Sequence, residues 1–357
     1  MREMETRSYK IDNIKFFLIV CVVFGHLVTN CSKIGYLPKT VMFWVYLFHM
    51  PAFAFVSGLL SKNTVRDSRW SKAVPLIFIA IAIKVINFIV SVIMKGEVGN
   101  LDLNLDTYSD IPWYALSLFW WYGITILTKK VKPAYVLSVA LLLALVSGYS
   151  SDIGAKFAIC RSIVFFPFFY TGYLVEQGHL AKCLNKCTIK IIAIIYLIVT
   201  FGIVYKYYNS ISFWRNLFRG RYAYSKISDS LDPTFGFLWR SIFYVISGVF
   251  ILALFSLMPK KKLPVVSCVG RKTLSVYAFH YAAMKLLYHY TDIKKLLRSE
   301  YGFLWCILLA LCIVLFTSLP VFDYPLRKLS SVPLISSDEL KRKEEKYAAE
   351  KQNAEEV

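Results

Sequence analysis

Three histidines stand inside long apolar runs: His26, His49 and His280. Histidine's ordinary pKa lies near neutrality, so it can take a proton from a hydroxyl or carry a transferred group. An ionisable side chain within a membrane is costly and is by default a functional-site candidate. The competing reading is a neutral imidazole hydrogen-bonded inside a helix bundle. His26 closes the pattern Asp12-Asn13-Ile14-Lys15 plus ten residues plus His. Eleven residues of helix rise about 16 Å, so Lys15 is expected near one membrane face and His26 past mid-bilayer. His49 enters from the other side to about 14 Å, beside Pro51, which is expected to interrupt its helix and free a carbonyl. The two histidines therefore reach one depth on consecutive antiparallel helices. His280 lies about 11 Å in and shares a helix face with Tyr277 at i, i+3. His179 and His289 fall in a loop and at a helix end, and read as bystanders.

Cations add a second layer. Arg69-x-x-Lys72-x-x-Pro75 puts two positive charges on one face at the start of a helix, which suits phosphate. Ordinary positive flanking of a membrane span explains the same pair. Arg161 and Arg240 fall within spans, where such charges face a bundle interior or a wet cavity. The eight cysteines form no CxxC, and Cys183-x3-Cys187 reads as two ordinary thiols, so no metal is expected.

The elements that must carry these residues follow from composition. The 357 residues are 57% hydrophobic, 17% aromatic and only 18% charged, which predicts an all-α, polytopic integral membrane protein. The net charge of +20 comes in short blocks between apolar runs, a pattern of membrane topology that excludes a nucleic-acid-binding face. Hydropathy predicts a bundle of about ten transmembrane helices near 13–32, 40–60, 73–94, 112–128, 134–150, 157–175, 190–208, 236–258, 273–290 and 302–322. The first run is too long for a signal-peptide core, and no small-residue cleavage site follows it. With the N-terminus inside, inner segments before the tail carry eighteen cations against twelve outside, which predicts both termini in the cytoplasm of a multi-pass cell-membrane protein. The chain divides into a transmembrane domain, 1–330, and a short, charged cytoplasmic tail, 331–357. Outer residues 95–111 are acidic (Glu97, Asp102, Asp106, Asp110). Residues 206–235 interleave five cations with Tyr207, Tyr208, Trp214, Tyr222 and Tyr224. Rings stack on sugar faces and arginine forks hold phosphate or carboxylate, so the second loop suits a glycan or sugar-lipid. Aromatic belts and anchors to anionic head groups have the same composition. No internal repeat is found, which counts against a secondary transporter.

Taken together, these residues resemble the membrane-bound acyltransferase-3 family, in its fucose 4-O-acetylase-like branch of sugar O-acetyltransferases. The resemblance covers all ten spans. It rests on Asp12-x-x-Lys15-x10-His26, Phe48-His49-Met50-Pro51, Phe55-Val56-Ser57-Gly58 and Arg69-x-x-Lys72-x-x-Pro75. Pro112-Trp113-Tyr114, Phe166-Pro167-Phe168-Phe169-Tyr170-Thr171-Gly172-Tyr173 and Ser275-Val276-Tyr277-Ala278-Phe279-His280 add to it. Lys15 and Lys72 replace the family's arginines, which keeps the charge and loses the bidentate fork. The resemblance implies acetyl-CoA as co-substrate from the cytoplasmic side and a glycan or sugar-lipid hydroxyl as acceptor. His26 would be the catalytic base or acetyl carrier, helped by His49 or His280. Lys15, Arg69 and Lys72 would hold the donor, and Arg161, Arg240, Trp113 and Tyr277 the acceptor. A non-enzymatic transporter or flippase of sugar-lipids would use the same basic-aromatic outer loop and intramembrane charges, and acetyl-CoA binding separates it from an acyltransferase. A glycan polymerase or ligase would want a large outer loop, and the longest here is about thirty residues.

Overall fold

A backbone in hydrocarbon must satisfy its polar groups within its own segment, and every apolar run accordingly forms a helix. The computed structural model describes residues 8–95, 111–151, 156–229 and 231–330, and no strand is formed among them. The acidic residues of the 95–111 loop and the tail 331–357 lie outside the described residues. The main helices are α1 (Tyr9–Asn30), α2 (Tyr36–Tyr46), α3 (His49–Leu60), α4 (Pro75–Lys95), α5 (Trp113–Leu127), α6 (Pro133–Val146) and α7 (Ile159–Leu174). They continue as α8 (Cys187–Ile211), α9 (Gly236–Leu257), α10 (Pro264–Gly270), α11 (Thr273–Tyr290), α12 (Gly302–Thr317) and α13 (Pro320–Ser330). All ten expected spans hold a helix. Among the described residues, five stretches are long and apolar enough to cross a membrane by themselves: 9–30, 36–60, 70–95, 187–218 and 233–257. The α12–α13 pair makes a sixth, bent by 57°.

The tenth span thus ends at Thr317 rather than 322, and α13 turns away with Asp323 paired to Arg327. The second span is broken too, one turn before Pro51, since a proline acts on the carbonyl four residues back. The chain leaves the helix at Leu47–Phe48, where Phe48 takes φ −139°, and restarts at His49. Pro51 occupies the first turn of α3 and has no N–H to offer the carbonyl of Leu47, four residues back, while Ala52 N–H bonds Phe48 O. The carbonyl freed by the break is that of Leu47, and the Ser247 hydroxyl of α9 donates to it at 2.5 Å.

α1 is the axis of the bundle. It packs on α2, α3, α10, α11 and α12, and its mid-helix aliphatic residues are buried on nearly every side. Its start is fastened by fully buried Asn13, which donates to the carbonyls of Pro259 (3.0 Å) and Lys261 (3.1 Å). The Asn13 Oδ1 accepts from Ser267 of α10 at 2.7 Å. Gly270 lets α10 touch α1, because a Cβ there would lie 1.9 Å from the Asp12 carbonyl oxygen. The closest helix crossing is α3 on α7. A Cβ on Gly58 would meet the Phe169 oxygen at 1.8 Å, and one on Gly172 the Phe55 oxygen at 2.0 Å. Small residues let backbones meet in this way within a membrane. The starts of α1 and α11, the end of α9 and the end of α12 share one face of the bundle, termed basal here, since Asn13 reaches Lys261 and Lys272 donates to Ser318 O. The opposite face, termed distal, carries the α1 end, the α11 end and the 212–235 segment.

Candidate active site

The break between α2 and α3, the axis α1 and the start of α11 leave space between them. A cavity of about 260 Å³ opens there, walled by α1, α2, α3, α5, α7 and α11. Lys15 and Thr273 line its basal end, His26, His49 and His280 its middle, and Trp113, Arg161 and Arg219 its distal end. Seven residues singled out from sequence therefore converge on one space: Lys15, His26, His49, Trp113, Arg161, Tyr277 and His280. No Asp or Glu is among the described residues that line it.

The histidines differ in their bonding. His49 Nδ1 lies 2.8 Å from Val45 O, and His280 Nδ1 lies 2.9 Å from both Val276 O and Tyr277 O. A carbonyl only accepts, so both Nδ1 atoms carry hydrogen and each neutral ring keeps its lone pair on Nε2. The Nε2 of His280 is buried and has no hydrogen-bond partner. An acceptor left bare inside a packed bundle is costly and uncommon. The His26 ring lies 5.3 Å from that of His280 and 5.7 Å, edge-on, from Tyr281. His26 is half-buried where His280 is fully buried, so it is the ring of this pair that meets the cavity most openly. Gly25 permits the approach of α2: a Cβ there would lie 3.3 Å from the Tyr46 ring, which packs edge-on against His49 at 4.9 Å.

Polar groups fix the walls. The Tyr277 hydroxyl donates to Ile111 O and accepts from the backbone N–H of Tyr114 (3.2 Å) and Ala115 (3.4 Å), which ties α11 to the start of α5. The Tyr114 and Ser57 hydroxyls share a hydrogen bond of 2.9 Å. The Arg161 guanidinium lies over the Trp113 ring at 4.7 Å, and its Nε donates to Arg219 O at 3.3 Å. Burial alone would raise the phenol of nearby Tyr222, but its bond from Arg221 and the charges of Arg219 and Arg161 pull it below its ordinary value. The distal mouth is thus a strongly positive, aromatic opening. At the basal end Lys15 pairs with Asp12 at 3.7 Å.

Three expected site residues stand apart from the cavity. Arg240 is fully buried beside α6, with Nη1 donating to Ala144 O (2.8 Å) and Ser147 Oγ (3.1 Å) and its charge 4.7 Å over the Tyr224 ring. Tyr224 in turn fills the space left by Gly148 and Gly236 and donates to Leu145 O, so Arg240 braces the distal end of the fold. Arg69 and Lys72 are exposed on the basal side. They do not share a helix face as expected, since Arg69 precedes the short helix Trp70–Ala73 with ψ 79° and pairs with Asp67. The hydrogen bond from Arg66, with Arg69 beside it, holds the Asp67 carboxyl below the usual carboxylate range. His179 lies 3.5 Å from Cys183, and His289 packs on Tyr290; neither lines the cavity. Sequence reasoning passed over Tyr46, Ser57, Tyr114 and Thr273 as site residues. Ser57 and Tyr114 were legible only as members of Phe-Val-Ser-Gly and Pro-Trp-Tyr, and Arg219 only as one of five loop cations.

Comparison with known proteins fits this arrangement. Over 196 residues the chain is 29% identical to the nodulation protein NolL of Sinorhizobium fredii (strain NBRC 101917 / NGR234), a match covering 48% of this chain and 49% of that protein. The chain thus spans about half the length of the curated relative it matches. No solved structure matches it. The acyltransferase domain of the acyltransferase-3 type matches residues 8–322, from the start of α1 into α13 and so across every helix that walls the cavity, and the chain belongs to that family.

Proposed function

We propose that this membrane acyltransferase moves an acetyl group from acetyl-CoA to a hydroxyl of a cell-surface or lipid-linked sugar, as in the fucose 4-O-acetylase-like branch. The observation that carries the reading is the order of groups along one cavity: a cation at the basal end, three histidines in the middle, an arginine-aromatic mouth at the distal end. The acetyl thioester enters past Lys15 from the cytoplasm. The nucleotide end rests on the basal surface, where Arg69 and Lys72 stand exposed. The sugar enters through the distal mouth, its ring against Trp113 and its polar groups toward Arg161 and Arg219.

A hydroxyl is a weak nucleophile at neutral pH, so its proton must leave as the oxygen attacks. His26 takes that proton while the acceptor oxygen bonds to the thioester carbonyl carbon. The carbon–sulfur bond then breaks, and CoA leaves as its thiol with the proton returned from His26. The bare Nε2 of His280 is an acceptor for a His26 N–H, which would fix the tautomer and leave the other nitrogen as base. Donors near the tetrahedral oxygen, among them the Ser57 and Tyr114 hydroxyls, would stabilise its charge.

Membranes containing the protein, incubated with acetyl-labelled acetyl-CoA, should transfer label to a saccharide fraction in a form released by mild base. A well-inserted protein that binds no acetyl-CoA and labels no saccharide would overturn the reading in favour of sugar-lipid transport.

A further inference from the structure

A second cavity lies on the outside of the bundle, where acyl transfer has no use for it. α5, α6 and α7 enclose a groove of about 480 Å³. Trp120 and Ile159 line one end, Thr128 and Val131 the other, with Ala140 and Phe166 between. Of the polar side chains that line it, three spend their donors on the protein's own backbone. Thr128 donates to Ile124 O (2.8 Å), Ser162 to Ala158 O (2.8 Å) and the Trp120 indole to Phe157 O (3.1 Å). Water gains little in such a groove, and an apolar chain gains its whole transfer free energy.

Its charged end says which apolar chain. Val131 stands between Lys129, Lys130 and Lys132, all exposed, in the turn from α5 to α6. No Asp or Glu occurs anywhere in residues 111–151 to neutralise them. Lys129 donates to the Ser68 hydroxyl, and the neighbouring Asp67 is held by Arg66 and Arg69. Trp120 to Thr128 is eight residues of helix, about 12 Å, close to the depth of one leaflet in a hydrocarbon core of about 30 Å. A phosphate at the lysines and an acyl chain along the groove match that length and charge.

We propose that this groove binds one acyl chain of an anionic glycerophospholipid, with its phosphate-bearing headgroup on Lys129, Lys130 and Lys132. The site bears on the cavity from behind: Ser162 lines the groove while the adjacent Arg161 lines the cavity, and Trp121 holds Ser162 O at 2.8 Å. A bound lipid would brace α5 against α7 and so hold the Trp113–Arg161 wall in place.

The test uses the whole protein, one copy per phosphatidylcholine nanodisc, with acyl-brominated phosphatidylglycerol or acyl-brominated phosphatidylcholine added at rising mole fraction. Bromine quenches a tryptophan that it touches. Subtracting the Trp120→Phe signal isolates Trp120 from the other seven tryptophans. Half-quenching of Trp120 is expected at a several-fold lower fraction of the anionic lipid. The triple change of Lys129, Lys130 and Lys132 to Ala should erase that preference, and the same three changed to Arg should keep it, which separates charge from misfolding. Ala140→Phe, which fills the groove, should weaken quenching by both lipids. Equal quenching by the two lipids, or a preference that survives the alanine triple, overturns the proposal and leaves an ordinary lipid-facing surface.

Discussion

His26 differs from the other two cavity histidines in what its ring is tied to. His49 and His280 each spend Nδ1 on a carbonyl one turn back in sequence. Among the described residues the His26 ring is seen against the rings of His280 and Tyr281, with no carbonyl one turn back fixing its Nδ1. A ring held by neighbours yet free at its nitrogens is suited to give and take a proton. His26→Ala should therefore insert and bind acetyl-CoA normally but lose roughly 10²–10⁴-fold in turnover, the usual size of a lost general base. Cys21→Ala, on the same helix and absent from the cavity lining, should keep near-normal turnover. Near-normal rates for His26→Ala would make that ring structural and move the chemistry to His49 or His280. The donor side is read from KM. Arg69→Ala should raise the KM for acetyl-CoA by about fivefold, the effect of an exposed ion pair worth up to ~1 kcal/mol, with kcat little changed. Lys72→Arg should be tolerated. A donor KM unmoved by Arg69→Ala would return Arg69 to its pairing with Asp67. Sequence singled out the buried members of the site because an intramembrane polar group is costly enough to need a reason. The same argument singled out Arg240, which lies outside this cavity and whose Nη1 and charge meet two acceptors and a ring within the protein. Burial cost points to a partner, and only geometry shows whether that partner is substrate.

Elements carry the site through two features of unequal visibility. The helices were readable from apolar runs alone. The break at Leu47–Phe48, which opens the cavity beside His49, is announced by Pro51, whose missing N–H leaves the carbonyl of Leu47, four residues back, without its helical partner. The crossing of α3 on α7 is the other feature, and it explains why the sequence carries Ser57-Gly58 and Thr171-Gly172. Gly172→Ala would put a methyl 2.0 Å from Phe55 O, and neither backbone can yield without parting the helices. It should destabilise the protein by about 1–3 kcal/mol or more, as overpacking does, with a matching loss of activity because Val56 and Ser57, which line the cavity, stand beside the crossing. Gly248→Ala is the control: nothing lies within 4 Å of its would-be Cβ, and removing a glycine from mid-helix should leave stability unchanged or raise it by up to about 1 kcal/mol. Thermal unfolding of the two variants in one detergent decides the matter. Equal unfolding temperatures would mean that the crossing tolerates a wider gap.

At the scale of the whole molecule, the cavity has chemical direction only if its two ends face different compartments. The starts of α1 and α11 and the ends of α9 and α12 are joined by Asn13–Lys261 and Lys272–Ser318 hydrogen bonds, so the chain enters at Tyr9 and leaves α12 on the same face. That is what ten alternating spans require, and the loop cations favour this face as the cytoplasmic one, eighteen against twelve. Acetyl-CoA is a cytoplasmic thioester too polar to cross a bilayer, so a donor entering past Lys15 demands the same orientation. In that orientation the distal 212–235 segment, with Arg219 at the mouth of the cavity, would face outward, on the side of the proposed acceptor. A reporter active only outside the membrane should work when inserted at residue 225 and fail after Ser330, and a cytoplasm-active reporter should do the reverse. An accessible cysteine introduced at Lys226 should react with an impermeant thiol reagent in intact cells, whereas exposed Cys183 should react only after permeabilisation. Labelling of Cys183 from outside would turn the molecule over, put Lys15 away from its donor, and remove the basis for transfer across the membrane through this cavity.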